Sequence, residues 1–109
     1  MERRDISGLP DEPIAAAARF YAAIAPTLSG AGDLALVFPA ADHTHSAWRL
    51  AAIQSLARAR VPGRVNGLSG GCPATVDAAL AYLSNAPGLT GQYLVLDDSG
   101  AGAVLPPAP

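Results

Sequence analysis

The sequence contains no lysine, and few of its residues are charged. All seven basic residues are arginines, scattered between Arg3 and Arg64, and the formal net charge of the 109-residue chain is −2. A nucleic-acid-binding face needs clustered positive charge, which this pattern does not supply. We therefore expect no nucleic-acid partner.

Cysteine and long apolar runs are also scarce. Cys72 is the single cysteine, which excludes an intramolecular disulfide and every multi-cysteine metal site. No apolar run approaches the roughly 20 residues that a membrane helix needs. The start of the chain, MERRDISGLPDEP, lacks the apolar segment of a secretory signal. We expect a cytoplasmic protein with no membrane partner.

The apolar residues that are present alternate between two spacings. Helical spacing predicts helices over residues 11–28, 44–60 and 75–85, with capping side chains at Asp11 and Thr75. Short continuous apolar runs predict strands over residues 34–38, 64–68 and 92–96. Strands separated by helices are typical of a parallel sheet. We expect an α/β, partly Rossmann-like fold of three layers, with about three parallel strands, right-handed crossovers and helices on both faces.

The expected domain organisation follows from composition. Residues 1–10 form an N-terminal arm, residues 11–100 the α/β domain, and residues 101–109 a flexible tail. The tail is rich in glycine, alanine and proline and has too few large apolar side chains to fold by itself.

Three stretches carry a family resemblance that covers the chain from about Ala22 to Gly100. They are AAIAPTLSGAGDLALV, SAWRLAAIQSLARARVPGRVNGLSGG and VDAALAYLSNAPGLTGQYLVLDDSG. They resemble, in order, a helix and central strand, the active-site helix with its RVN strand and turn, and the last helix and strand of a short-chain dehydrogenase/reductase. The resemblance implies the C-terminal half of that family's fold and predicts a truncated member of it.

The departures from the family concern its chemistry. The glycine-rich turn that binds the dinucleotide pyrophosphate has no counterpart here. The positions of the catalytic tyrosine and lysine fall on Asp42 and Ser46, and the catalytic serine also has no counterpart. Thr75 matches a threonine that contacts the nicotinamide in the family. Since its surroundings differ, we interpret Thr75 as a relic position, and we expect no bound cofactor and no NAD(P)-dependent oxidoreductase activity.

The resemblance also implies surfaces that need a partner. In the family, the strand formed here by residues 34–38 has a further parallel neighbour, so its edge needs a cover. Either residues 4–9 fold back onto that edge, or a second chain adds its own strand. The family's two long helices pack against a symmetry mate as a four-helix bundle. The alanine-rich helices of this chain predict a homodimer, or a heterodimer with a full-length dehydrogenase.

A set of polar residues is expected at the carboxyl edge of the sheet, where ligands of α/β proteins bind: Asp42, His43, His45, Cys72, Thr75, Asp97 and Asp98. Cys72 with a histidine and an aspartate could form a nucleophilic thiol site. The two histidines with an aspartate could instead hold a metal. The simpler interpretations are a small buried or neutral surface residue at Cys72, helix caps at Asp42 and Thr44, and a strand end at Asp97.

Two functions therefore remain open from the sequence, beside a third possibility, a decayed gene product with no activity of its own. The first is a non-catalytic, dehydrogenase-like protein that acts by dimerisation or as an accessory partner of an active reductase. No metal is expected in that case. The alternative is a small cofactor-independent cyclase, isomerase or dehydratase that uses Asp42, His43, His45 or Cys72 in the strand-end cleft.

Overall fold

A computed structural model describes residues 1–97 of the chain. The predicted flexible tail, the end of the predicted domain and Asp98 lie outside the described residues. The four strands are β1 (Glu2–Asp5), β2 (Leu34–Phe38), β3 (Val65–Gly70) and β4 (Tyr93–Leu96). The α-helices are α1 (Pro13–Arg19), α2 (Ser46–Ala59) and α3 (Pro73–Ser84). A π-helical turn at Phe20–Ile24 and 3-10 turns at Ala25–Leu28 and His43–His45 complete the helical segments.

All four strands pair in parallel in the order β1-β2-β3-β4, which confirms the predicted α/β class. The sheet has one strand more than the expected three or so. The additional strand, β1, comes from the N-terminal arm and pairs with β2, with Arg4 opposite Leu36. The arm thus covers the edge of β2 within the chain itself, as one of the two alternatives has it, but the strand consists of residues 2–5 rather than 4–9.

The helices lie on both faces of the sheet and produce two hydrophobic clusters. On one face, Phe20 near α1 and Ile53 from α2 pack against Leu36 and Phe38 of β2. On the other face, side chains of α3 pack against Leu68 of β3 and Leu96 of β4: Val76 and Leu83. The strands therefore separate the layer of α1 and α2 from the layer of α3.

This layering corrects the expectation of uniformly right-handed crossovers. The chain moves in one direction across the sheet, from β2 to β3 to β4, while α2 and α3 lie on opposite faces. Two parallel crossovers that advance in the same direction on opposite faces have opposite hands. One of these two connections is therefore left-handed, a rare arrangement in parallel sheets.

The first helical segment begins as predicted but is capped by a different residue. The Glu12 carboxylate, not Asp11, accepts hydrogen bonds from the backbone N–H groups of Ile14 and Ala15 at 3.0 and 2.8 Å. These two bonds lower the pKa of Glu12. The segment stays helical as far as Leu28, and its last turn, which contains Pro26, is 3-10 rather than α. Proline lacks the N–H that an α-turn would use at this point.

Two arginines bind loops at the amino end of the sheet. The buried Arg60 donates to the carbonyl oxygens of Leu28 and Gly32. Arg64 forms an ion pair with Asp33 at 2.8 Å. Both arginines thus bind the connection before β2, and Arg64 also donates to the carbonyl oxygens of Leu83 and Ala86 at the end of α3. Among the described residues, no helix is long and apolar enough to span a bilayer.

Candidate functional site

The carboxyl ends of β2 and β3 carry two separate groups of the predicted site residues. Asp42, His43 and His45 follow β2 and form the turn that leads into α2. Cys72 and Thr75 follow β3 and form the start of α3. Each group has its own hydrogen bonds, which define what its members do.

Asp42 is a helix cap, as the simpler interpretation of the sequence has it. Its carboxylate accepts a 2.9 Å hydrogen bond from the backbone N–H of Thr44 and a second bond from the Thr44 hydroxyl. These bonds stabilise the charged carboxylate and lower the pKa of Asp42. Thr44 lies inside the turn rather than at its cap. A carboxylate held as an anion by a cap is a poor proton donor near neutral pH.

His45 is buried and uses both ring nitrogens. The indole N–H of Trp48 donates to His45 Nδ1 at 3.0 Å, and His45 Nε2 lies 2.8 Å from the carbonyl oxygen of Asp11. An indole can only donate, so Nδ1 is the unprotonated nitrogen and Nε2–H donates to Asp11. The ring is therefore a neutral link between the loop before α1 and the start of α2. An acid or base role for His45 stays a prediction, and it would require the loss of one of these bonds.

The start of α3 differs in one detail from the sequence prediction. Cys72, rather than Thr75, is the N-cap residue, and Thr75 lies in the first turn with its hydroxyl donating to the Cys72 carbonyl oxygen at 3.0 Å. The Cys72 residue is exposed, and its Sγ lies 3.7 Å from the Thr75 hydroxyl oxygen. Cys72 and Thr75 are therefore close together at the start of α3, whereas the predicted pairing of Cys72 with a histidine and an aspartate stays a prediction.

The turn between β3 and α3 depends on two glycines. Gly70 and Gly71 both have positive φ values, 74° and 80°, a conformation that glycine adopts without strain. A Cβ on Gly71 would lie 2.5 Å from the Thr75 hydroxyl oxygen. The close approach of Thr75 to this turn thus requires glycine at position 71.

An open cavity of about 350 Å³ lies between the ends of β2 and β3. Its walls are mainly apolar or backbone, from Pro39 and Ala40 on one side and from the Gly70–Gly71 turn on the other. The charged residues that line it are Arg3 and Asp77, whose side chains form an ion pair at 3.6 Å. None of the predicted site residues in the described part of the chain is among its lining residues.

The sequence prediction missed a buried arginine at the same edge. Arg49 is 3% exposed, and its Nη1 donates to the Pro39 carbonyl oxygen at 2.9 Å and to the Tyr93 hydroxyl at 3.1 Å. The signal for its burial is its helical spacing, because Arg49 precedes the buried Ala52 and Ile53 by three and four positions. That pattern places it on the side of α2 that faces the sheet.

Within residues 1–97, no group of three or more histidine, cysteine, aspartate or glutamate side chains is arranged to hold a metal ion. The predicted histidine–aspartate metal set is therefore not assembled as a triad in this part of the chain. What the edge presents is two capped helix starts, the apolar cavity and the buried Arg49.

A family model described as "Short chain dehydrogenase-like protein" matches residues 4–96. The chain belongs to this family. The match begins at Arg4, well before Ala22, so it includes β1 and α1 as well as the elements that carry the sequence resemblance. No curated protein and no solved structure gives a significant match.

The sequence resemblance, rather than the family match itself, relates the elements around this edge to those of the dehydrogenases. The helix that resembles the active-site helix of the dehydrogenases is α2, and the turn that resembles the nicotinamide-contacting turn joins β3 to α3. On the sequence resemblance alone, the positions of the catalytic tyrosine and lysine are predicted to fall on Asp42, which caps the turn before α2, and on Ser46, the first residue of α2.

Proposed function

We propose that this short-chain dehydrogenase-like chain acts by association and not by hydride transfer. Its partner would be a second copy of itself or a complete dehydrogenase with a matching helical surface. As a non-catalytic member of the family, it would stabilise or shape the assembly to which it belongs.

The observation that carries this proposal is the outward face of α1, α2 and the π-helical turn after α1. Large apolar side chains on this face are open to solvent: Ile14 is 79% exposed, Tyr21 46% and Leu50 37%. Exposed alanines lie at helical spacing among them, at positions 18, 47 and 51. We call these six residues the small-residue face.

The composition of the small-residue face favours helix-to-helix contact. Alanine lets two helices approach closely, and exposed large apolar side chains lose contact with water when a partner covers them. A symmetric pair of such faces would bring α1 and α2 of two chains together in a four-helix arrangement with a two-fold axis.

The residues at the dehydrogenase tyrosine and lysine positions support the non-catalytic part of the proposal. Asp42 is anionic and bound to Thr44, so it supplies neither a phenol nor a proton. Ser46 has no positive charge, and the sequence has no lysine to replace it. The tyrosine–lysine pair that these dehydrogenases use thus has no chemical equivalent at these positions.

Two measurements test the proposal. In the first measurement, tagged and untagged copies of the chain are co-expressed, and we expect the tagged copy to retain the untagged one. In a parallel experiment, the tagged chain is co-expressed with a complete dehydrogenase of the same family, which it should retain if the partner is such an enzyme. The purified assembly of the chain alone is then titrated with NADPH, whose fluorescence should not change. Failure to retain either partner, or tight binding of NADPH by the isolated chain, would contradict the proposal.

A further inference from the structure

Three carboxylates gather where α1 and α2 begin. Both helices connect the carboxyl end of one parallel strand to the amino end of the next, so they run in the same direction and start at the same edge of the sheet. Asp11 and Glu12 precede α1, Asp42 precedes α2, and all three residues are exposed. The 2.8 Å contact between His45 Nε2 and the Asp11 carbonyl oxygen joins the two helix starts. We call these three carboxylates the acidic end.

An exposed arginine lies at the other end of α2. Arg58 is in the last turn of that helix, and it follows Ala47 and Ala51 of the small-residue face by eleven and seven positions. These spacings are about three and two helical turns, so Arg58 lies on the same side of α2 as that face. No acidic residue stands in the sequence between the acidic end and Arg58 on either helical segment, over residues 13–28 and 43–59.

Arg58 has no carboxylate partner within residues 1–97. Its guanidinium donates to the hydroxyl of Ser55 at 3.3 Å. Arg19 is the other exposed arginine without an ion pair in this part of the chain, and it lies midway along the first helical segment, so it favours neither end. The exposed or buried arginines that do have carboxylate partners are Arg3, Arg4, Arg60 and Arg64.

A two-fold axis at the small-residue face would bring Arg58 of one copy to the acidic end of the other. Leu50 and Ala51 are adjacent members of this face near the middle of α2. Two helices related by an axis at this point run antiparallel, so residues equally far from it lie side by side. Arg58 is seven to eight positions beyond Leu50 and Ala51, and the position equally far before them is 43, next to Asp42.

The opposite orientation has no such complementarity. If the two α2 helices ran parallel in register, Arg58 would face the same arginine of the second copy, and the two acidic ends would also meet. Opposite charges across an interface favour an arrangement and like charges disfavour it. The charge pattern of one copy therefore matches a second copy in the antiparallel orientation.

We propose that the small-residue face binds a second copy of this chain in antiparallel orientation, with Arg58 of each copy against the acidic end of the other. This inference rests on the proposed function, because it names the partner and the orientation for the surface described there. The alternative occupant is a complete dehydrogenase, which the experiments below distinguish from a second copy.

Two charge reversals test the pairing by sedimentation equilibrium. Arg58→Glu reverses one side of the contact. Asp11→Arg reverses a charge of the acidic end without removing a cap, because Glu12 and Asp42 accept the capping hydrogen bonds. Arg58→Glu should weaken self-association at least about tenfold, since like charges then meet in both symmetric contacts, and Asp11→Arg should weaken it in the same direction.

An equal mixture of the two variants provides the decisive comparison. In the mixed pair, one contact joins Glu at position 58 to Arg at position 11, and the other joins the original Arg58 and Asp11. The mixture should therefore associate about as tightly as wild type. The charge-matched controls are Arg3→Glu and Asp77→Arg, which alter an ion pair between β1 and α3 and should leave self-association unchanged. Wild-type affinity of Arg58→Glu, or a mixture no tighter than the single variants, would overturn the proposal.

The salt dependence of the wild-type chain is a second readout, which needs no variant to fold. Raising sodium chloride from about 20 to about 300 mM should weaken self-association, because salt screens the attraction between Arg58 and the acidic end. The formal net charge of −2 per chain predicts the opposite sign, since salt screens the repulsion between two anionic chains. Self-association that strengthens with salt would therefore overturn the proposal.

The failure of this inference differs from the failure of the proposed function. A chain that does not self-associate but retains a complete dehydrogenase would overturn the antiparallel pair of copies and leave the proposed function in place. A chain that retains neither partner would contradict both.

Discussion

The indole N–H of Trp48 donates to Nδ1 of His45 at 3.0 Å, and the opposite ring nitrogen of His45 contacts the carbonyl oxygen of Asp11 at 2.8 Å. A histidine at the carboxyl edge of the sheet thus connects the start of α2 to the loop before α1. Its position in the sequence is compatible with catalysis, but its contacts are those of a structural residue.

Replacing His45 with alanine should lower the free energy of unfolding by about 1–3 kcal/mol, because the part-buried Trp48 N–H and the Asp11 carbonyl oxygen lose their hydrogen-bond partner. Urea unfolding followed by Trp48 emission measures this change. The control is His43→Ala at an exposed position, which should change stability by less than about 0.5 kcal/mol. If the two variants change the free energy of unfolding equally, the structural role of His45 is contradicted.

The contact between Gly67 of β3 and Ile53 of α2 predicts a pair of compensating substitutions. A Cβ on Gly67 would lie 2.4 Å from Ile53 Cδ1, so Gly67→Ala should destabilise the chain by about 1–3 kcal/mol through overpacking. Ile53→Val removes Cδ1 and should recover part of that loss in the double variant. Thermal unfolding of the wild type, the two single variants and the double variant measures the coupling between the two substitutions. If their effects on stability are additive, α2 does not approach β3 as closely as described.

The Asp33–Arg64 ion pair predicts part of the acid sensitivity of the chain. Side-chain and backbone hydrogen bonds from Arg64 lower the pKa of Asp33 in the folded state, relative to about 3.9 in the unfolded chain. Between the two pKa values the unfolded chain binds more protons. The stability that Asp33 contributes is therefore complete above the unfolded value and is lost as the pH falls through the folded value.

Unfolding by urea between about pH 7 and the acid limit of folding tests this sign. Asp33→Asn should be less stable than wild type near neutral pH, and the difference should shrink on acidification because the wild-type carboxylate becomes protonated. A difference that stays constant with pH would indicate that the charge of Asp33 does not contribute.

The sequence predicts most of the central architecture because apolar spacing reports burial. The run at positions 34–38 is buried on both faces, and the structure places a central strand there. By contrast, β1 has the sequence ERRD, with four charged side chains, so no apolar pattern marks it. It is a strand because its backbone pairs with β2, and charged side chains are typical of sheet edges.

The candidate site was harder to predict for two physical reasons. Residue type locates Asp42, His45 and Thr75, but hydrogen bonding decides their roles, and those bonds join residues distant in sequence, such as His45 and Asp11. Arg49 is charged, and a charged residue on a helix is normally assigned to solvent. Its burial depends on Pro39, Tyr93 and Phe38 meeting around it. The opposite hands of the two crossovers likewise follow from the face of the sheet on which α2 and α3 pack, and no local sequence pattern predicts them.

Glutamate substitutions at matched alanines should locate the association surface. Ala51 lies on the small-residue face of α2, and Ala78 is an exposed alanine of α3 on the other side of the sheet. Ala51→Glu places a charge in the proposed contact and should weaken association at least about tenfold, whereas Ala78→Glu should not, although both changes cost the same helix propensity. Light scattering coupled to size exclusion measures the mass of each variant. Weakening by Ala78→Glu alone would place the contact on α3 instead.

The central claim, that the helical face of α1 and α2 requires a partner, is tested most directly by sedimentation equilibrium of the wild-type chain over a wide range of concentrations. The chain has a mass of 11.0 kDa, and the account predicts a species of twice that mass which dissociates on dilution and in Ala51→Glu. A single species of 11.0 kDa at every concentration, unchanged when a complete dehydrogenase is added, would contradict it.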